Sequence, residues 1–352
     1  MSHARTRRAS GAPRRARASA MLAVAALALL ASNAAQAGCK YKRLGAIPTT
    51  WVGQRLMIDG SVNDTPLKVV VDTGASWTTV SGALAKRLDL TLVHVDNYQT
   101  GFGGKSEMSE GRLEELSFGR FQWRKAKVAV AWDSSPDLPD VLAGANLLLG
   151  NDMELDGKAM TFYSPSDCAD ASLAYWADDV PWVPTELTTS RDLRANIVVR
   201  INDQPVRALI DTGAPTTMLD SRVARKLGFN PDDPKAQVGQ SGGIGTHVSA
   251  LSTATFDTIA IGPEIIRHSR VLVSNLWQGV RDDVHEMTTE NYVDSLPEMI
   301  LGADFVSSHH LLFATSQHRL YFSYVGGEVF RAPAPSTAAS AVPAHAAKPA
   351  AG

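Results

Sequence analysis

Residues 69–80 read VVVDTGASWTTV, and residues 208–219 read ALIDTGAPTTML. In both segments three apolar residues precede an Asp-Thr-Gly-Ala step, and a β-type run follows it. The apolar residues predict a buried strand, and the glycine allows a tight turn and a close backbone approach that a side chain would block. The chain therefore contains an internal repeat in which Asp72 and Asp211 hold matching positions.

The sequence around the two segments repeats as well. Upstream, residues 56–71 and 197–210 each contain two β-type runs around a polar Asn-Asp pair, which predicts a β-hairpin. Downstream, each copy has a short helix candidate. The first covers residues 81–88 with Ser81 as its N-cap, and the second covers residues 220–227 with Asp220 or Ser221 as its N-cap and Gly228 at its end.

Both copies then pass through a glycine cluster and close on an apolar-Leu-Gly step. The clusters are Gly101-Phe102-Gly103-Gly104 and Gly242-Gly243-Ile244-Gly245, and the closing steps are Leu148-Leu149-Gly150 and Ile300-Leu301-Gly302. From aspartate to closing glycine the first copy spans 78 residues and the second 91, so we place the extra length in the polar segment 277–295. Each copy is thus predicted to be a β-rich lobe with one short helix.

The repeat divides the chain into an all-β pair of lobes with connecting segments. The segment between the lobes is rich in Pro, Asp, Ser and Thr, and the C-terminal 22 residues hold ten Ala and four Pro, too little apolar surface for a packed core. The predicted boundaries are 1–37 for a signal peptide, 48–165 for the N-terminal lobe, 166–194 for a linker, 195–326 for the C-terminal lobe and 331–352 for a disordered tail.

Two aspartates at such turns have a definite chemical use if the lobes meet across a pseudo-twofold axis. The loops then bring Asp72 and Asp211 side by side, and the hydroxyls of Thr73 and Thr212 can lock one loop to the other. At ~3 Å and an effective dielectric constant of ~20, two carboxylates repel by ~5 kcal/mol, or about four pKa units between the first and second proton. The pair therefore holds one proton over a wide pH range and can activate water by general acid–base catalysis.

Two copies of a triple-apolar DTGA pattern, each with a glycine-rich loop and an apolar-Leu-Gly closure, resemble a tandem, single-chain form of the retropepsin-like aspartic proteases. The resemblance covers about residues 50–324. It implies two pepsin-like all-β lobes and an aspartic endopeptidase that acts on peptide or protein substrates without a metal or organic cofactor. Because both halves of the site lie in one chain, homodimerisation is not required.

The resemblance also implies a role for individual residues. Asp72 and Asp211 would be the catalytic pair, and Thr73 and Thr212 the clasp between the two loops. The residues implied to support the active-site loops are Gly74 and Gly213, and those implied to form flaps over a bound peptide are Gly101, Phe102, Gly103, Gly243, Ile244 and Gly245.

Two departures from the pattern bear on catalysis and specificity. Ala75 and Ala214 stand where pepsin-like enzymes commonly carry a hydroxyl that bonds the carboxylate, and losing that bond raises the lower pKa of the pair. This predicts a mildly acidic to near-neutral pH optimum. Retroviral members tend to carry acidic residues where this chain has Ser76-Trp77 and Pro215-Thr216, so the subsite preference of those members does not transfer.

The first 37 residues have the pattern of a secretory signal peptide. They hold six arginines and no acid, an apolar run at 21–31 and an Ala-x-Ala step at 35–37. Eleven apolar residues do not span a bilayer, which takes ~20. We expect an exported protein, periplasmic or secreted, with no transmembrane span in the mature chain. The remaining 28 basic and 36 acidic residues give a net charge of −8, which argues against nucleic-acid binding.

The chain has two cysteines, Cys39 and Cys168, too few for a disulfide scaffold or a four-thiolate zinc site. In an oxidising compartment they can form one disulfide. Two alternatives stay open, namely two unpaired thiols and a lipid anchor on Cys39, which follows the cleavage site.

Other interpretations of the motifs stay open at this stage. The two DTG loops can be turns in a β-protein without catalysis, and the chain can be a non-catalytic peptide-binding or scaffold protein with the acid-protease fold. Asp152 and Asp304, after the closing glycines, are expected to hydrogen-bond local backbone. His309 and His310 lack metal-ligand spacing and are expected to be surface histidines.

Overall fold

The computed structural model describes residues 39–101, 104–132, 139–166, 168–169, 171–189, 192–242, 248–278 and 296–333. Within these ranges the chain forms 22 strands, four short α-helices and two 3₁₀ helices, which confirms the all-β fold class. The predicted signal peptide lies outside them. No helix in the described ranges is long and apolar enough to cross a membrane.

The elements are named in chain order. The strands are β1 (Lys40–Pro48), β2 (Thr50–Val52), β3 (Arg55–Val62), β4 (Thr65–Val71), β5 (Thr79–Ser81), β6 (Leu92–Gly101), β7 (Gly104–Phe118), β8 (Phe121–Ala131), β9 (Val141–Ala143), β10 (Asp152–Leu155), β11 (Ala159–Ser166), β12 (Trp182–Pro184), β13 (Glu186–Thr189), β14 (Asp192–Ile201), β15 (Gln204–Ile210), β16 (Met218–Asp220), β17 (Gln237–Gly242), β18 (Val248–Ile261), β19 (Glu264–Ser274), β20 (Met299–Leu301), β21 (His309–Ala314) and β22 (Arg319–Tyr324). The helices are α1 (Gly82–Arg87), α2 (Ala145–Leu148), α3 (Ser221–Lys226) and α4 (Ala303–Val306).

Two eight-stranded sheets with the same topology form the two lobes. The order is β2-β3-β4-β9-β5-β8-β7-β6 in the first and β13-β14-β15-β20-β16-β19-β18-β17 in the second. In each sheet a second pairing, β3 with β7 and β14 with β18, folds the sheet back on itself. The internal sequence repeat is therefore a repeat of one fold.

Turn and cap residues explain the local structure that the sequence predicted. The hairpins β3–β4 and β14–β15 turn at Asn63-Asp64 and Asn202-Asp203, each pair with φ near 46° and 64°. Positive φ at both central residues is the geometry that suits the twist of a two-residue hairpin. Ser81 and Asp220 are the N-caps of α1 and α3, where their side chains accept a bond from a first-turn N–H.

The closing glycine of the first lobe lies earlier than the sequence pattern predicted. β9 runs parallel to β4, just as β20 runs parallel to β15, and the residue after β9 is Gly144. Gly144, and not Gly150, therefore corresponds to Gly302. From the aspartate to this glycine the first lobe spans 72 residues against 91 in the second. The longer insertion falls mainly in residues 279–295, which lie outside the described ranges.

A six-stranded sheet of order β1-β11-β10-β21-β22-β12 joins strands from both halves of the chain. The halves meet where β10 pairs antiparallel with β21, with Met153 opposite Phe313 and Leu155 opposite Leu311. These four side chains are buried in the main core. The strands that end the two predicted lobes, β11 and β22, both belong to this shared sheet.

The segments predicted as linker and tail contain ordered structure. Residues 166–194 include β12, β13 and the start of β14. In the predicted tail, Ala332 is only 3% exposed, and the carbonyl of Pro333 accepts a hydrogen bond of 2.9 Å from Thr253 Oγ1. The rest of the tail, 334–352, lies outside the described ranges.

The two cysteines are joined. Cys39 and Cys168, 129 residues apart in the sequence, form a disulfide inside one small unit that contains both of them. Neither thiol is free.

Candidate active site

The two DTG loops start at the ends of the central strands of the two lobes. Asp72 follows β4, and its N–H donates to the carbonyl of Ala143 at 3.0 Å. Asp211 follows β15, and its N–H donates to the carbonyl of Leu301 at 2.9 Å. Each aspartate is thus held by the strand that runs parallel to its own.

The two threonines lock the loops together through four hydrogen bonds. Thr73 Oγ1 donates to the Ile210 carbonyl at 2.8 Å and accepts from Thr212 N at 3.1 Å. Thr212 Oγ1 donates to the Val71 carbonyl at 2.6 Å and accepts from Thr73 N at 3.0 Å. Both threonines are fully buried, so no water competes for these bonds. The clasp fixes one loop against the other.

The glycines let the two carboxylates approach. A Cβ on Gly74 would lie 2.5 Å from Asp211 Oδ1, and a Cβ on Gly213 would lie 2.6 Å from Asp72 Oδ2. Real Cβ atoms do not come so close to another atom, so the carboxylate of each lobe occupies space that only glycine leaves open in the other. Each DTG loop therefore needs glycine at this position to leave room for the aspartate of the other loop.

Backbone N–H groups orient each carboxylate through one oxygen. Asp72 Oδ1 accepts from Gly74 N at 3.0 Å and from Ala75 N at 2.8 Å. Asp211 Oδ1 accepts from Gly213 N at 2.9 Å and from Ala214 N at 3.1 Å. Ala75 and Ala214 add a methyl group and no hydroxyl. The two carboxylates therefore have nearly identical surroundings, contributed by backbone.

Burial and mutual repulsion keep a proton on the pair. Burial raises the pKa of Asp72 well above its ordinary value, the negative charge of Asp211 raises it further, and the two backbone bonds only partly oppose this. Burial also raises the pKa of Asp211, against the backbone bonds and the positive charge of Arg194. Because the groups interact, the two proton losses belong to the pair and not to one residue.

A second layer of matching contacts supports each loop. In the first lobe Thr78 N donates to Asn146 Oδ1 at 2.7 Å, and Gly144 N donates to Thr78 Oγ1 at 3.1 Å. In the second lobe Asp304 takes the place of Asn146, with Thr217 N donating to its Oδ1 at 2.9 Å and Gly302 N to Thr217 Oγ1 at 3.0 Å. The sequence pattern does not point to Asn146, because it places the closing glycine of the first copy at Gly150.

Of the two further aspartates, Asp304 bonds the N–H of the adjacent Phe305, as the sequence predicted, whereas Asp152 bonds residues from the other half of the chain. Asp304 is 2% exposed and also accepts from Phe305 N and Arg331 N. Burial raises its pKa even though these bonds oppose the rise. Asp152 accepts from the side chain and N–H of Ser316 at 2.8 and 2.9 Å. Since Asp152 and Ser316 come from different halves of the chain, this contact also ties the halves together.

The predicted flap residues can be followed only in part. Gly101 ends β6 and pairs with Gly104 at the start of β7. Phe102, Gly103, Gly243, Ile244 and Gly245 lie outside the described residues. Their role as flaps stays a prediction.

The expectation that His309 and His310 are surface histidines is wrong. His309 is 2% exposed, and its ring nitrogens lie 2.8 Å from the Phe305 carbonyl and 3.1 Å from Glu264. His310 Nε2 lies 2.7 Å from the buried Glu154 carboxylate, and its ring stacks on Trp176 at 3.8 Å. Both histidines have carboxylate partners from distant strands, which sequence spacing alone does not reveal.

Glu154 is the centre of a polar cluster away from the two DTG loops. It accepts from the hydroxyls of Tyr163 at 2.6 Å and Tyr175 at 2.8 Å, besides its contact with His310. Burial raises the pKa of Glu154, but these hydrogen bonds outweigh burial and leave the pKa below its ordinary value. Among the described residues, no group of three His, Cys, Asp or Glu side chains could hold a metal ion.

Family models match one lobe each. The model described as "Aspartyl protease" matches residues 197–305, and the model described as "gag-polyprotein putative aspartyl protease" matches residues 58–153. Each match contains one DTG loop and its closing glycine. The chain belongs to the retropepsin-like aspartic proteases. Each lobe therefore matches an aspartyl protease domain, and this retropepsin-like chain carries both DTG loops in one polypeptide.

Individual relatives resemble parts of this retropepsin-like protease. DNA damage-inducible protein 1 of Saccharomyces cerevisiae is 42% identical over 50 residues, which is 14% of this chain and 12% of that protein. The chain thus matches about an eighth of the length of this relative. An aspartic proteinase from Irpex lacteus aligns over 80% of this chain and 97% of its own, with 14% identity and a TM-score of 0.47. A retropepsin-like aspartic protease from Rickettsia conorii aligns over 36% of this chain and 95% of its own, with 22% identity and a TM-score of 0.28.

Proposed function

We propose that this protein is an exported endopeptidase that hydrolyses peptide bonds with a water molecule activated by Asp72 and Asp211. The observation that carries the proposal is the clasp of Thr73 and Thr212, which holds the two carboxylates against each other's DTG loop. Paired carboxylates that share one proton are the established acid–base device of aspartic proteases as a class.

In the proposed reaction one carboxylate is ionised and the other carries the shared proton. The ionised group takes a proton from water as the water oxygen attacks the peptide carbonyl carbon, and the protonated group donates to the carbonyl oxygen. This forms a neutral diol and exchanges the roles of the two carboxyl groups. When the diol collapses, the newly protonated group donates to the amide nitrogen, the C–N bond breaks, and the other group takes a diol proton. The pair returns to its starting state.

The pH dependence follows from the raised pKa values of the pair. Burial and repulsion raise the pKa of Asp72, and burial raises the pKa of Asp211, so the singly protonated state persists toward neutral pH. Alanine at positions 75 and 214 supplies no hydroxyl that would favour the charged form. We expect the peptidase to work best under mildly acidic to near-neutral conditions. An optimum below about pH 3 would contradict this use of the hydrogen-bond rule.

Export is supported by the leader pattern and by the disulfide. Structural disulfides persist in oxidising compartments such as the periplasm and the cell exterior. A Cys39 that is bonded to Cys168 has no free thiol for acylation, which favours a mature chain without a lipid anchor. We therefore propose a periplasmic or secreted enzyme.

The test is a comparison of aspartate variants on a proteome-derived peptide library at several pH values. Asp72→Asn and Asp211→Asn should each abolish cleavage, because asparagine cannot carry or accept the shared proton. Asp203→Asn is a matched control, since it makes the same change in a turn whose positive φ asparagine tolerates equally well. It should cleave like the unmodified protein. Full cleavage by either dyad variant would refute the assignment.

A further inference from the structure

An exposed tryptophan lies in the first DTG loop. Trp77 follows Asp72 by five residues, and its side chain is 50% exposed. It lies three positions after Gly74, which faces the Asp211 carboxylate, so the Cα atoms of Gly74 and Trp77 are at most about 11 Å apart. An extended peptide advances about 3.4 Å per residue. The indole is therefore within reach of a substrate side chain two to four residues from the bond that is cleaved.

The backbone under this indole is held rigidly. Thr79 Oγ1 donates to the Trp77 carbonyl at 2.9 Å, and the neighbouring Thr78 N donates to Asn146 at 2.7 Å. A Cβ on Gly144 would come within 2.6 Å of the Trp77 carbonyl oxygen, so the two backbones pack tightly. An aromatic side chain on a fixed backbone offers a large contact area at low cost in conformational entropy, as binding hot spots do.

The exposure of Trp77 differs from that of the other tryptophan with a large exposed surface. Trp182, which is 44% exposed, carries the guanidinium of Arg319 at 4.1 Å above its ring. No residue in the described part of the chain stacks on the Trp77 ring. Since Trp77 is 50% exposed, that part of its indole is available to an external group.

The second DTG loop lacks an equivalent surface. Thr216 stands at the position that corresponds to Trp77. In this loop Ala214 is only 9% exposed and belongs to an apolar cluster that includes Trp277, Leu296 and Ala332, a residue from the C-terminal segment. The corresponding Ala75 is half-buried and lies in neither apolar cluster. One loop therefore offers a free aromatic surface where the other offers a small hydroxyl.

We infer that Trp77 is a specificity-determining residue, whose indole binds an apolar, preferably aromatic, side chain of a peptide substrate on one side of the cleaved bond. In the second DTG loop Thr216 stands at the corresponding position, so the preference is one-sided. This inference rests on the proposed function, because it assigns a subsite to the same site. It concerns binding of the substrate and leaves the proton transfers to Asp72 and Asp211.

The first test compares cleavage profiles of variants on the peptide library. Trp77→Ala should lower kcat/KM about tenfold for peptides with an aromatic residue at one position, the scale of a modest hot spot. Peptides with glycine there should be cleaved as before. Trp77→Phe should restore the preference, and Thr216→Ala, the matched change in the second loop, should leave it intact. An unchanged profile in Trp77→Ala would overturn the inference.

A binding measurement separates failure of this inference from failure of the proposed function. The Asp72→Asn protein is titrated in a calorimeter with two matched peptides, one with an aromatic residue and one with glycine at the chosen position, to measure both affinities. Adding Trp77→Ala should remove the roughly tenfold difference. Equal loss of affinity for both peptides would refute the subsite. Absence of dyad-dependent cleavage would refute the proposed function, while this affinity ratio would still decide the role of Trp77.

Discussion

The hydroxyl of Thr212 makes two of the four hydrogen bonds of the clasp. Thr212→Val keeps the branched shape but removes the oxygen that donates to the Val71 carbonyl and accepts from Thr73 N. Both backbone groups then stay buried without that partner, at a cost of about 1–3 kcal/mol each. We predict a loss of about 2–6 kcal/mol in the free energy of unfolding, a large fraction of the roughly 5–15 kcal/mol of a typical domain.

The same change should impair catalysis, because the clasp positions both carboxylates. A misplacement of about 1 Å near reacting groups can reduce the rate about a hundredfold, so kcat should fall more than KM rises. Urea unfolding followed by circular dichroism gives the stability, and initial rates on a library-derived peptide give the kinetics. Thr212→Ser, which keeps the hydroxyl, should lose much less of both.

The pseudo-symmetric change Thr73→Val removes the bonds to Ile210 and Thr212 and should cost about as much. The double variant should lose less than the sum of the two, since the first break already loosens the loops. A loss below about 1 kcal/mol for Thr212→Val, together with unchanged kcat, would refute the view that this hydroxyl holds the site together.

Three further predictions follow from the described contacts. Asp72→Asn should raise the melting temperature at pH 7 but not near pH 3, because a pKa raised on folding costs stability once pH exceeds the unfolded-state value; equal shifts at both pH values in scanning fluorimetry would contradict this. Replacing Cys39 and Cys168 by serine should cost up to about 5 kcal/mol in urea unfolding, the chain-entropy limit for a loop of 129 residues, and reductant should reproduce the loss in the unmodified protein. Glu154→Gln should destabilise the protein more at pH 7 than at pH 3, because a pKa lowered on folding stabilises above the unfolded-state value and its benefit is lost as pH falls; a pH-independent effect would exclude the charge as its cause.

Local patterns predicted the parts of the fold that depend on local physics. The Asn-Asp pairs predicted both hairpins because few residues tolerate two successive positive φ angles. The caps Ser81 and Asp220 predicted the starts of α1 and α3 because an exposed N–H at a helix start needs an acceptor. The repeat predicted two similar lobes. The hairpin and cap inferences use residues that are close together in the sequence, and the repeat compares two such local patterns.

The position of the closing glycine in the first lobe cannot be predicted from local sequence patterns. The segment 141–150, VLAGANLLLG, contains two glycines after apolar residues, and the apolar pattern favoured the second. The choice depends on which three residues run parallel to β4, and that pairing is set by contacts with a strand about 70 residues away. Sequence spacing does not encode the pairing directly. The supporting residue Asn146 was missed for the same reason.

The contacts between the halves explain why one chain can carry an asymmetric site. Besides the clasp, the halves are tied by the pairing of β10 with β21, by Asp152 with Ser316 and by Glu154 with His310. Folding therefore brings the two aspartates together without association of two copies. In a dimer of identical subunits every substitution would appear in both half-sites, whereas here each half can change alone. The clasp has threonine in both loops because its bonds are reciprocal. Other corresponding positions differ: Asn146 in the first lobe corresponds to Asp304 in the second, and Trp77 corresponds to Thr216. Under the proposed function, catalysis requires the two loops to match near the aspartates, and substrate selection gains from their difference a few residues further on.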